Sequence, residues 1–113
     1  MDILVDEANQ NPKQIGLRGR LDLKGTGEIE LRFTSLAATD ANDVVIDMSG
    51  VDFIASLGMR LLVTCAKAKA ARGGRMIMFG LQPMVRKTLE IAGIDSIIPI
   101  FADAQSAIAS LQG

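Results

Sequence analysis

Two short apolar runs most constrain what this chain can fold into: Val44-Val45-Ile46-Asp47-Met48 and Met76-Ile77-Met78-Phe79. Runs this short and this apolar read as strands covered on most sides, the habit of parallel sheets. Parallel neighbours need a long crossover, usually a helix. The chain between the runs supplies one. From about Leu57 to Arg72, Leu61, Cys65 and Ala68 recur at helical spacing, with Arg60, Thr64 and Lys67 on the other side, and Gly73-Gly74 ends the helix. Upstream, Gly25-Thr26-Gly27 breaks the chain, after which Ile29, Phe33 and Leu36 predict a helix reaching Ala38 or Thr39. Downstream, Pro83 sits in the first turn of a helix whose apolar stripe is Val85, Leu89 and Ala92, stopped by Gly93. Ile97 to Phe101 reads as a last short strand, placed at an edge by Pro99. Asp103 caps a final helix with Ala107, Ile108 and Leu111 inward.

The N-terminal part follows a different period. Ile3 to Ala8 reads as a strand closed by Asn9-Gln10-Asn11-Pro12. Beyond it Ile15, Leu17, Gly19 and Leu21 fall on one face of an extended chain, and Gln14, Arg18 and Arg20 on the other. The two make a hairpin. The element order is then β-β-α-β-α-β-α-β-α, an α/β fold with a mixed β-sheet, an N-terminal hairpin and about four helices mainly on one face. With 113 residues and no linker or repeat, one domain accounts for the chain.

Composition narrows the chemistry. There is no His, so Ser-His-Asp and Cys-His units and His-ligated metals are excluded within the chain. The single cysteine, Cys65, forms neither an internal disulfide nor a zinc cluster and falls on an inward helix stripe. Twelve Lys+Arg against thirteen Asp+Glu give a net charge of −1, without the basic excess that nucleic-acid backbones demand, and no Trp or Tyr is present for stacking. The acidic start Met1-Asp2-Ile3-Leu4-Val5-Asp6-Glu7 has no basic region before an apolar run, and no apolar stretch approaches the roughly 20 residues of a membrane span. A soluble cytoplasmic protein without cofactor or metal, acting by binding rather than catalysis, is the expectation.

Sites in such sheets form where strands open into helix N-termini. Leu21 to Gly27, Met48 to Gly58 and Phe79 to Pro83 should converge there. In the middle segment, Phe53-Ile54 anchors the loop in the core while Ser56 opens the helix. Ser56 has two compatible readings: a helix N-cap, or a hydroxyl modified at a helix N-terminus that tolerates an anion. Gly58, one turn into the helix, serves either close packing or access to Ser56. Asp22, Asp47 and Asp52 could be imagined as an acidic Mg²⁺ pocket, but solvated loop carboxylates or turn caps explain them better. Lys67, Lys69 and Arg72 spread around one helix and read as a solvated face. Met48, Met76 and Met78 read as core filler, Met59 and Met84 as rim residues.

These residues carry a resemblance. Val44 to Leu62, with its Ala55-Ser56-Leu57-Gly58 loop, resembles the STAS domain of bacterial anti-sigma factor antagonists. Leu17-Arg18-Gly19-Arg20-Leu21-Asp22 is similar to that family's Gly-x-Leu-Asp strand end, and Gly80 to Ile94 is similar to its third helix. The resemblance implies that the chain binds an anti-sigma factor with a histidine-kinase-like ATPase fold. That partner phosphorylates a hydroxyl at the start of the second helix, here Ser56, and a PP2C-type phosphatase reverses the step. Asp22, Thr26, Ala55, Leu57, Gly58 and Met59 are the implied partner-binding residues. Well-known members carry Asp-Ser-Ser-Gly or Asp-Ser-Thr-Gly where this chain has Ala55-Ser56-Leu57-Gly58, so a single hydroxyl remains. Either Ser56 is the acceptor or the chain is not phosphorylated. The apolar Ala55 and Leu57 keep open an alternative, a constitutive subunit of a lipid ABC-type transport or sensory scaffold complex. A small nucleotide- or metal-dependent hydrolase finds no base, nucleophile pair or phosphate loop here.

Overall fold

The structure, a computed structural model, describes residues 1–112. Strands β1 (Asp2–Gln10) and β2 (Lys13–Leu21) form the antiparallel hairpin, with Ile3 opposite Leu17 and Val5 opposite Ile15. Helix α1 (Leu23–Ala37), strand β3 (Val44–Ile54), helix α2 (Ser56–Ala71), strand β4 (Met76–Phe79) and helix α3 (Pro83–Ile91) follow. A 3₁₀ turn (Ile94–Ser96), the two-residue strand β5 (Ile100–Phe101) and helix α4 (Ala104–Leu111) complete the chain. The sheet runs β1-β2-β3-β4-β5, with β2 to β5 parallel.

Strand order never reverses, so crossovers of one hand carry α1, α2 and α3 to the same face. There Ile15, Leu17, Ile46, Met48 and Met78 meet Phe33, Leu62 and Leu89 in the main core. The α4 helix lies on the other face, where Ala107 packs with Val45 and Ile77. Each apolar run therefore divides its side chains by period two between two cores, which is why neither run alternates with polar residues.

Several boundaries differ from expectation, each for a local reason. The α1 helix runs through Gly25-Thr26-Gly27 instead of starting after it. Asp22 is its N-cap, accepting from the Gly25 amide at 2.8 Å, and any β-carbon on Gly25 would overlap the Arg20 carbonyl oxygen. Here glycine permits close approach and does not break the chain. The β3 strand continues past Met48 to Ile54, because nine-residue β2 still offers partners: Gly50 pairs with Arg18 and Ile54 with Leu21, across two register irregularities. The expected loop shrinks to Ala55. Ile54 is buried as expected, but Phe53 turns outward. In α3, Val85 and Leu89 are buried whereas Ala92 is exposed. Pro99 and the 3₁₀ turn reduce the last strand to two residues, although Ile98 remains fully buried.

The solvated reading of Lys69 fails outright. Its side chain is 0% exposed, and Nζ donates to Asp40 Oδ1 at 2.7 Å and to the Asp40 carbonyl at 2.9 Å. Lys13 Nζ donates to Asp40 Oδ2 at 3.0 Å and to the Leu36 carbonyl at 2.8 Å, while Arg72 Nε donates to the Ala38 carbonyl at 3.0 Å. The carbonyls around the C-terminus of α1 lack helical partners and concentrate negative charge, so cations collect there. The two ammonium groups, Lys69 foremost, hold the Asp40 carboxyl far below the usual carboxylate range.

Candidate functional site

The carboxyl ends of β2 and β3 deliver the expected segments to one surface. Ala55 is the single residue between β3 and α2, and its amide donates to the Leu21 carbonyl at 2.9 Å. Ala55, not Ser56, is the N-cap of α2, and no side chain caps this helix. Ser56 is therefore the first helical residue, exposed, and among the described residues its hydroxyl has no hydrogen-bond partner. The first intrahelical bond runs from the Met59 amide to the Ala55 carbonyl, leaving the amides before it free, and the first turn holds no acidic residue. An uncompensated helix start of this kind favours a negative group placed on it.

Gly58 is buried. A β-carbon there would lie 2.9 Å from both the Leu21 β-carbon and the Leu21 carbonyl oxygen, so α2 packs onto the end of β2 as closely as backbone allows. Close packing is thus sufficient to explain this glycine. Leu57 and Met59 are partly buried, Met59 against the main core. Asp22 is half-buried at the start of α1. The Gly25 amide and then Arg20 hold its carboxyl below the ordinary range. Thr26 is 1% exposed, and its hydroxyl is buried without a hydrogen-bond partner. It belongs to a groove of about 250 Å³ between α1 and α2, whose α2 wall includes Leu57 and Arg60.

Other features of this surface escaped sequence reasoning. The Arg20 guanidinium lies 4.3 Å from the centre of the Phe53 ring, and Phe53 is 38% exposed. Carrying the period of two past Met48 would have put Phe53 and Ile54 on opposite faces, which was the available signal. Leu23 is also strongly exposed at the start of α1, as is Met84 at the start of α3, which was expected at the rim, and a cleft of about 210 Å³ separates Phe53 from Met84 and Thr88.

The three imagined metal carboxylates have separate surroundings. Asp22 caps α1, Asp47 accepts from the Ser49 hydroxyl at 2.7 Å, and Asp52 lies along the cleft near Phe53. Cys65 is buried beside Thr34, and burial pushes its thiol up. No helix among the described residues is long and apolar enough to cross a membrane. A sheet whose order never reverses also lacks the crevice that opens at a switch point. What the strand ends offer is a broad surface around Ser56 with shallow grooves.

Known proteins share this construction. BtrV of Bordetella bronchiseptica, whose name marks it as a candidate anti-sigma factor antagonist, is 27% identical over 96 residues, covering 85% of this chain and 83% of its own. An anti-sigma-factor antagonist (STAS) domain protein from Planctomyces limnophilus superposes over 100% of both chains with a TM-score of 0.86 at 23% identity. The Bacillus cell fate determinant SpoIIAA, in its phosphorylated form, superposes over 97% of this chain and 99% of its own with a TM-score of 0.68 at 19% identity. The STAS domain profile matches residues 4–107. Through that match and the five-stranded mixed sheet, the chain belongs to the STAS domain family.

Proposed function

We propose that this protein is an anti-sigma factor antagonist that docks through the surface around Ser56 and is switched by reversible phosphorylation of that residue. The observation that carries the reading is the exposed, unpartnered Ser56 hydroxyl at an N-terminus of α2 with no acidic or side-chain cap. Relatives named for anti-sigma antagonism and a neighbour solved in a phosphorylated form support it. The partner is an anti-sigma factor with a histidine-kinase-like ATPase fold, and a PP2C-type phosphatase restores the hydroxyl. Asp22, Ala55, Leu57 and Met59 contribute to docking, while buried Thr26 and Gly58 shape the surface from below. A phosphate adds roughly −1.5 to −2 charges, which water around an open helix end accommodates and a closed interface must desolvate. A difference of about 3 kcal/mol between the two states changes affinity on the order of a hundredfold, enough for a switch.

Incubation with the cognate kinase and ATP should label the protein at Ser56, and Ser56→Ala should abolish the label. Label that survives in this variant sinks the assignment. The apolar rim of Leu23, Leu57, Phe53 and Met84 favours a second reading, a constitutive subunit of a transport or scaffold complex. That reading predicts copurification with the partner whatever the state of Ser56, and full function of Ser56→Ala.

A further inference from the structure

Ser56 and Arg60 stand four residues apart on α2, the spacing that brings side chains together on one helix face, with β-carbons about 5–6 Å apart. Arg60 is exposed and, among the described residues, makes neither an ion pair nor a hydrogen bond. It lines the groove between α1 and α2, and Glu30 on the opposite wall does not pair with it. The same groove contains Thr26, nearly fully buried, with its hydroxyl unpartnered. Beside the proposed phosphoacceptor, then, the molecule keeps a free guanidinium and an unmet buried hydroxyl. Of its other cations, Lys13 and Lys69 are engaged by Asp40, Arg20 by Asp22 and Phe53, and Arg75 by Asp43, while Lys24 at the start of α1, unpaired among the described residues, lies outside this groove.

We propose that Arg60 is the intrachain counter-ion of a phosphate on Ser56, drawing the phosphoserine to the mouth of the α1–α2 groove. The inference rests on the reading of Ser56 as the acceptor. A phosphate ester offers three acceptor oxygens, and the guanidinium fork matches two of them in a geometry an ammonium cannot reproduce. The free first-turn amides of α2 provide donors from the backbone side, with no first-turn carboxylate to compete. In the unmodified protein Arg60 stays uncommitted on the docking surface. In the phosphorylated protein it is occupied, and the phosphate is held over the Leu57 side of the rim. Phosphorylation thereby changes two features of the surface, an added anion and a withdrawn cation.

The test needs no kinase. Protein carrying phosphoserine at position 56 is made by co-translational incorporation and compared with the unmodified chain, each with Arg60 intact, as Arg60→Gln and as Arg60→Lys. In ¹⁵N–¹H spectra the Arg60 Nε–Hε signal should shift on phosphorylation and exchange with water roughly tenfold more slowly. The effect of phosphorylation on Tm should differ by about 3 °C between Arg60 and Arg60→Gln, with part of the difference recovered by Arg60→Lys and most of it lost in 1 M NaCl. An Arg60 signal indifferent to phosphorylation overturns the proposal, as does the same phosphorylation effect on Tm with and without the guanidinium. Because the phosphoserine is installed directly, either failure leaves the assignment of Ser56 as acceptor to be judged by kinase labelling alone.

Discussion

At the amino end of the parallel strands, Asp40 holds Lys13 and Lys69 while Leu36 and Ala38 present their carbonyls to Lys13 and Arg72. At the carboxyl end, Ser56, Arg60 and the buried Thr26 hydroxyl have no partners among the described residues, and Leu23, Phe53 and Met84 face solvent. One end is satisfied within the chain and the other is left incomplete. Groups satisfied internally contribute to folding and have little left for a partner. Ser56 and Arg60, left open in water, cost the fold little and are available for recognition, whereas the buried Thr26 hydroxyl carries a desolvation cost. The contrast places the satisfied charge network at the Asp40 end and leaves the Ser56 end, where docking is proposed, open.

The largest expected effect tests the first half of that contrast. Asp40→Asn removes the charge partner of the fully buried Lys69 ammonium, leaving it the residue-40 carbonyl, and should destabilise the fold by about 3 kcal/mol, toward the low end for broken buried pairs because Asp40 itself is partly solvated. Urea unfolding measures it, and kinase labelling of Ser56 should be unchanged in the surviving folded protein. The pH dependence has a definite sign. The Asp40 carboxyl is depressed in the folded state, so its contribution is complete above the unfolded value near 4 and is lost as pH falls toward the folded one. The gap between wild type and Asp40→Asn should therefore be full at pH 7 and shrink steadily below about pH 4. A gap independent of pH would remove the carboxylate from the explanation.

A smaller effect is expected where the carboxyl end touches the core. Gly58→Ala gains helix propensity but presses a methyl against Leu21, for a net loss of about 1–2 kcal/mol in thermal or urea melts. Stabilisation by this change would mean that α2 can lift from β2. Phe53→Ala gives up the contact with Arg20 and should cost the fold at most about 1 kcal/mol. Its effect on partner affinity should be larger, tenfold or more by calorimetry, if the exposed ring is a central docking contact. Ser56→Ala should be the mildest for folding, within about 0.5 kcal/mol of wild type, since the hydroxyl has no partner to lose. An appreciable loss at Ser56 would blur the division between the two ends.

How far the sequence foretold this depends on whether local pattern or distant contact decides each residue. Val44 to Met48 and Met76 to Phe79 announced their strands, since burial on both faces leaves no regular polar alternation, Asp47 being the one charged residue in either run. Asp103 announced its cap, accepting from the Ser106 amide at 2.8 Å as the pattern required. Gly25 misled, because the reason for it is the Arg20 carbonyl arriving from the preceding strand. Lys69 misled more deeply. Nothing in α2 signals that Asp40, 29 residues away, folds over its ammonium group. At the site, Ser56 was legible as a hydroxyl at a helix start, whereas the outward turn of Phe53 depended on β3 continuing along β2.

The one-residue connection at Ala55 has a consequence for the speed and cost of recognition. An eleven-residue strand and a sixteen-residue helix meet there with no slack between them, and the joint is tied to the Leu21 carbonyl. Ser56 is consequently presented in a fixed pose before any encounter. Ordering a flexible loop usually consumes part of the gross binding energy, and a preformed epitope avoids that loss. Association should then proceed as the meeting of two rigid bodies. Under the proposed switch, little conformational entropy remains to blur the distinction between a bare and a modified hydroxyl.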